Sequence, residues 1–206
     1  MRSFQQVVEE RRSANNFLPD YPITEKDLND IFRVLKYTPS AFNLQHTRYA
    51  AVIDPDLKMQ LKEAANGQYK VGAASGVIVV LGDTLAYQET AQIYEGLLTL
   101  GVLSEDQYND EVNDVVSFYK RRGISFHRDE AIRNASLSAM MFMLAAKDAG
   151  WDTCPMIGFN PHEVKRVLNI PDHLEVVLMI AIGKEKVASR RPRGYRKPVS
   201  ELVKYY

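Results

Sequence analysis

The chain has 206 residues, 46% hydrophobic and 25% charged, a balance that fits a globular protein with a sizeable core. Lys plus Arg equals Asp plus Glu at 26 each, so no overall field recruits nucleic acid or an anionic membrane surface. The lone Cys154 excludes an internal disulfide framework and a cysteine-cluster metal site, and the start, MRSFQQVVEERRS, lacks a signal peptide's apolar core, so the cytoplasm is the expected location.

Taken in order, Ser3 caps a helix running to Glu10, with Phe4, Val7 and Val8 on one stripe. Thr24 caps a second helix that presents Leu28, Ile31, Phe32 and Leu35 inward and stops before Pro39. The polar loop Pro39–Gln45 leads into a strand, Arg48–Ile53, and a helix, Pro55–Ala65. Residues 66–72 read as a loop and Val77–Leu81 as a buried strand. Helical patterns polar enough for the surface follow over 84–100 and 104–122. Asp129 then reads as the cap of a central helix that Gly150 stops. Its second half, Ala139–Ala146, is apolar on every face and therefore expected to be buried, in a domain centre or between subunits. At about ten residues that apolar run is short of the roughly 20 that cross a bilayer. A short apolar segment, Cys154–Phe159, a helix Pro161–Leu168 capped by Asn160, and a buried strand Leu174–Gly183 complete the body. The tail's end (Leu202, Val203, Tyr205, Tyr206) is too apolar for a loose linker and is expected to dock. The pattern predicts an α+β fold in a single domain, 1–206, with a helical excursion at about 84–127.

No GxGxxG, P-loop, HExxH, GxSxG or CxxC sequence is present. His46, His127, His162 and His173 lack a metal-ligand spacing and read as surface or satisfied side chains; no metal is expected. Cys154 reads as a small buried hydrophobe, and Asp106, Asp110, Glu111 and Asp114 as a solvated helix face. No side-chain acid–base machinery stands out, so catalysis would rest on a bound cofactor. The remaining polar clusters suit a phosphorylated, partly aromatic ligand. Arg11, Arg12 and Ser13 end the first helix, and Arg190–Lys197 (RRPRGYRK) forms a second basic cluster. Ser40, Asn43 and Gln45 offer hydroxyl and amide groups, and Gln68 and Lys70 follow in another loop. Taken singly, these clusters read equally as solvated surface or turn chemistry.

In ERRSANNF, TPSAFNLQ, NGQYKV, GWDTCPMIGF and RKPVSELV, in that order, the sequence resembles the FMN-dependent nitroreductase family of the oxygen-insensitive type. The resemblance implies a central mixed sheet flanked by helices, a long buried dimer-core helix and a C-terminal tail reaching the partner subunit. It also implies a homodimer with FMN at the interface. Arg11, Arg12 and Ser13 match the phosphate and ribityl positions, and Arg196 the C-terminal phosphate arginine, helped by Arg193. Pro39, Ser40, Ala41 and Asn43 match the loop that the partner lays against the flavin. Gln68 and Lys70 match the pyrimidine edge. Pro155, Met156, Ile157 and Gly158 match the segment along the ring, with the Gly158 N–H near N5. Three positions depart from the pattern: His46-Thr47 replaces Pro-Trp, Asn15 stands where several members carry Lys beside the flavin, and Ile157 replaces an acidic residue. The activity implied is ping-pong, two-electron reduction of nitro compounds, quinones or related small-molecule acceptors by NADH or NADPH. The alternative is a flavin-binding protein of this fold with a specialised reaction or no turnover.

Overall fold

The computed structural model describes residues 2–206. Local chemistry sets the first elements. In helix α1 (Phe4–Glu10) the Ser3 hydroxyl accepts from the Gln6 N–H and the Gln6 side chain accepts from the Ser3 N–H, a reciprocal cap. Thr24 and Asp27 repeat the device at α2 (Glu25–Leu35). Strand β1 (Thr47–Val52) leads to α3 (Pro55–Ala64), capped by Asp54 with Pro55 in its first turn. Part of the expected loop at 66–72 is a short helix, α4 (Tyr69–Ala73), entered through left-handed Asn66 and Gly67. Strand β2 (Gly76–Asp83) is followed by a 3-10 turn (Ala86–Glu89) and α5 (Thr90–Thr99), where one continuous helix was expected.

The central helix differs from expectation at its start. Helix α6 (Glu105–Asp148) opens at Ser104, which forms a reciprocal cap with Gln107, and Asp129 lies exposed within it. The break falls at Gly123, whose φ of 76° and ψ of 179° fit glycine alone, so α6 is two helical segments meeting at that residue. Gly150, at φ 83°, ends it as the sequence predicts, with Trp151 N–H donating to Ala146 O at 2.8 Å.

Strand β3 (Asp152–Met156), helix α7 (Pro161–Leu168, capped by Asn160), strand β4 (Leu174–Gly183) and a final turn, α8 (Val199–Leu202), complete the chain. The sheet runs β1-β2-β4-β3 and every neighbouring pair is antiparallel. The parallel component of the expected mixed sheet is, among the described residues, the single bridge Ser13–Thr153.

Both faces of the sheet are covered, which is why β2 is apolar at successive positions and buried throughout. Val77, Val79 and Leu81 pack with Leu61 and Ala64 of α3 and Val164 of α7. Ile78 and Val80 pack with Leu28 and Ile31 of α2 and Ala135, Ala139 and Phe142 of α6. Helix α6 crosses the sheet at backbone distance: a Cβ on Gly82 would sit 2.8 Å from the Ala131 carbonyl. A third cluster (Leu44, Ala86, Tyr87, Val115, Tyr119) secures the excursion.

The α6 stripe opposite the sheet is open in the single chain. Leu137 is 49% and Met140 41% exposed, so within one chain the helix is buried on one face. Met141 and Leu144 line a groove of about 380 Å³ with Phe4, Val7, Ile31 and Val34. No helix among the described residues is long and apolar enough to cross a membrane.

Candidate functional site

The two basic clusters, nearly the whole chain apart in sequence, line one cleft of about 160 Å³ with Ser13, Asn15 and Glu185. The route is structural. The parallel bridge of Ser13 to Thr153, reinforced by Ala14 N–H donating to Thr153 O at 2.9 Å, holds residues 11–15 beside β3. The residues after β4 then return to the same edge: Arg12 Nη2 donates to Arg191 O at 2.6 Å, and Arg193 donates to the carbonyls of Glu9 and Arg11.

The arginines of this cleft are not equivalent. Arg190 is neutralised by Glu185, whose side chain is buried, at 2.6 Å. Arg196 Nη1 donates to Gly194 O and Tyr195 O. The Arg11 guanidinium has no hydrogen-bond or ion-pair partner among the described residues; burial and the charges of Arg193 and Arg196 hold it below the usual arginine range. A partly buried Arg11 beside the exposed Arg193 and Arg196, with the one lining carboxylate, Glu185, paired to Arg190, forms a site for a multiply charged anion such as phosphate.

A second wall adjoins this cleft. The Tyr69 hydroxyl donates to Asn15 O and ties α4 to residues 11–15. From the same turn, Gln68 Nε2 donates to Gly158 O at 2.7 Å and Asn66 Nδ2 to the same oxygen at 3.3 Å. Lys70 Nζ lies 3.5 Å from Cys154 Sγ. Pro155 is partly buried and Met156 buried, whereas Ile157 is 82% exposed and forms an apolar shelf next to Gly158. The Gly158 N–H has no acceptor among the described residues. Arg11, Arg12, Ser13, Asn15, Gln68, Lys70, Pro155, Met156, Ile157, Gly158, Arg193 and Arg196 therefore share one edge of the fold.

The remaining expected residues, Pro39, Ser40, Ala41 and Asn43, lie elsewhere. Pro39 and Ser40 line a separate pocket of about 170 Å³ with Tyr49, Asn134 and Ser138. The loop is held tightly: Ala41 N–H donates to Asn134 Oδ1 at 2.8 Å and Gln45 N–H to Ser40 Oγ at 2.9 Å. Phe42, Asn43 and Gln45 all adopt positive φ (53°, 55°, 50°), an unusual density of left-handed non-glycine residues. This loop precedes Thr47, which is aligned through Gly82 with Glu175, whereas Ser13 bridges Thr153, the partner of Ile182. The two places are diagonal corners of the sheet, about 19 Å apart across the strands and about 24 Å along them.

Sequence reading missed four residues that shape these places. Asn66 and Tyr69 lie in the matching stretch NGQYKV but were given no role of their own, although an Asn-Gly pair signals a left-handed turn. Glu185, alone among nearby basic residues, carried no pattern. Asn134 was legible in principle: Glu130, Asn134 and Ser138, spaced by four, form a polar stripe buried beside Ala131, Ala135 and Ala139.

The profile described as Nitroreductase family matches residues 8–184. MhqN of Bacillus subtilis (strain 168), provisionally named an NAD(P)H nitroreductase, is 63% identical over 205 residues, covering 100% of both chains. A crystal structure from Bacillus subtilis, provisionally described as nitroreductase ydfN, superposes with a TM-score of 0.97 at 64% identity over 98% of each chain. A protein from Exiguobacterium sibiricum solved in complex with FMN superposes with a TM-score of 0.91, covering 100% of this chain and 98% of that one; at 24% identity the likeness is one of fold.

Proposed function

Because the chain belongs to the nitroreductase family, we propose that it is an FMN-dependent oxidoreductase that uses NADH or NADPH to reduce nitro compounds, quinones or related acceptors. The observation that carries this reading is the partnerless Arg11 guanidinium, packed with Arg193 and Arg196 at the end of an edge that continues through Gln68, Lys70 and Gly158. These residues fit the nucleotide: cations for a phosphate, hydroxyl and amide groups for a polyol, and amide, ammonium and free N–H for a heteroaromatic ring.

FMN, when bound, takes a hydride from the nicotinamide and passes two electrons to the acceptor. The chain's own share is binding and electrostatics. Arg11, Arg193 and Arg196 hold the phosphate, and Ser13 and Asn15 lie beside the polyol. Gln68 has its donor end committed to Gly158 O, which leaves its carbonyl to accept from the ring. Lys70 supplies positive charge where electron density collects, and Pro155, Met156 and Ile157 give the ring an apolar bed. The segment 1–206 acts as one domain.

Two copies complete the site. The Pro39–Asn43 loop lies on the order of 30 Å from the arginine cleft of its own chain, beyond the length of one FMN. A partner placed on the open face of α6 covers the groove lined by Met141 and Leu144 and brings its own loop to the cleft. The exposed tail residues Val199, Leu202 and Tyr205 then gain a surface to cover.

Absorbance spectroscopy tests the reading. The purified protein is expected to be yellow and to bleach anaerobically with NADH or NADPH, regaining colour with a nitroarene or quinone. A yellow protein that neither nicotinamide bleaches would be a flavin-binding protein without this turnover. A colourless one that ignores added FMN refutes the proposal.

A further inference from the structure

Between Phe42 and His46 every second side chain enters the aromatic cluster of the excursion. The Phe42 ring lies 5.6 Å from Phe118 and 6.1 Å from Tyr119. Leu44 is wholly buried among Ala86, Tyr87, Val115 and Tyr119. His46 is buried too, with Nε2 3.1 Å from the Tyr119 hydroxyl and Nδ1 without a partner. Tyr119 is the hub of the cluster: its ring stacks on Tyr87 at 5.2 Å, and its carbonyl accepts from His127 Nε2 at 2.8 Å. The backbone is joined at both ends, Tyr94 donating to Phe42 O at 3.3 Å and Asp83 N–H to His46 O at 2.7 Å. Three left-handed residues within this segment persist only where surrounding contacts over-determine them.

We infer that His46 and Tyr119 are positioning residues for acceptor binding: their hydrogen bond locks residues 40–46 to the excursion, so that loop and helix form one wall. Phe42, half-exposed, is thereby fixed beside Phe118 over a groove of about 400 Å³ rimmed by Glu111, Asp114 and Arg121. Two tilted aromatic faces with both signs of charge at the rim suit a planar aromatic acceptor carrying polar substituents. This assignment rests on the proposed function, in which the loop lies against the flavin site.

Tyr119→Phe removes the hydroxyl and keeps the ring, and His46→Phe removes the other partner; the tyrosine variant decides the matter if the histidine variant does not fold. Hydrogen exchange is followed on the purified protein, together with steady-state kinetics. The Ala41 and Gln45 amides are expected to exchange about tenfold faster in Tyr119→Phe, the effect of one lost hydrogen bond. The acceptor KM is expected to rise severalfold, and by more than the FMN Kd or the nicotinamide KM. Unchanged protection at Ala41 and Gln45 overturns the inference, as does an increase spread evenly over β2 and β4, which would make Tyr119 an ordinary core residue. An unchanged acceptor KM in an active enzyme overturns it as well. If the wild type never bleaches with either nicotinamide, the functional reading fails and the exchange data alone decide whether the lock exists.

Discussion

Arg11 gives a prediction with two opposite signs. In the flavin-free protein its guanidinium is partly desolvated and faces Arg193 and Arg196 with no carboxylate paired to it among the described residues, so its charge disfavours the fold. With FMN bound, the same charge meets a phosphate. Replacing Arg11 with Ala removes a charge-assisted contact of about 1.5–3 kcal/mol, which raises the FMN Kd roughly 10- to 150-fold. Thermal unfolding of stripped protein with and without FMN reads both effects. At a concentration 100 times its Kd, FMN stabilises the wild type by about 2.7 kcal/mol; if the variant binds 100-fold more weakly, the same concentration gives it only about 0.4 kcal/mol. The flavin-free variant should be at least as stable as the flavin-free wild type. A variant that loses stability without FMN would assign Arg11 a structural role, and an unchanged Kd would place the phosphate elsewhere.

Three further perturbations follow from the structure. Burial, reinforced by Arg48 and opposed by Asp83, pushes the His46 imidazole down to about 4 from 6.5. The unfolded chain therefore takes up this proton first as the pH falls, and stability is lost between pH 6.5 and 4; at pH 5 the loss is about 2 kcal/mol. Urea unfolding of wild type and His46→Phe at pH 7 and 5 isolates this contribution, and equal pH dependence in the two proteins would contradict it. Gly82→Ala drives a Cβ to 2.8 Å from the Ala131 carbonyl and should cost about 1–3 kcal/mol by urea titration, an unshifted midpoint being the contrary result. Truncation after Gly194 removes Arg196 and the exposed Tyr195, Val199 and Leu202, and should lose both flavin and dimer; sedimentation of a yellow dimer from that truncation would contradict the docked tail.

How much the sequence discloses varies with the range of the interaction that decides each feature. The caps at Ser3, Thr24 and Asn160 and the stop at Gly150 are local, and the sequence places them correctly. The first helical pattern ends at Arg122, directly before the break at Gly123, while Asp129 offered a plausible but unused cap for the segment beyond it. The apolar runs reveal β2 and β4 but not their order, which depends on contacts across the whole chain. At the candidate site, charge and hydroxyl content marked both arginine clusters, yet their meeting depends on the Ser13–Thr153 bridge, which leaves no trace in composition. His46 read as one scattered histidine among four, because its environment is built by Tyr119, 73 residues away.

The diagonal separation of the arginine cleft from the Pro39–Asn43 loop makes heredity of the defect testable by mixing. A protomer carrying Arg11→Ala and one carrying a damaged loop each bring one sound half. Paired in a heterodimer, they assemble one intact catalytic centre and one doubly impaired, so at FMN concentrations too low to fill either parent the heterodimer should give about half of normal turnover per dimer.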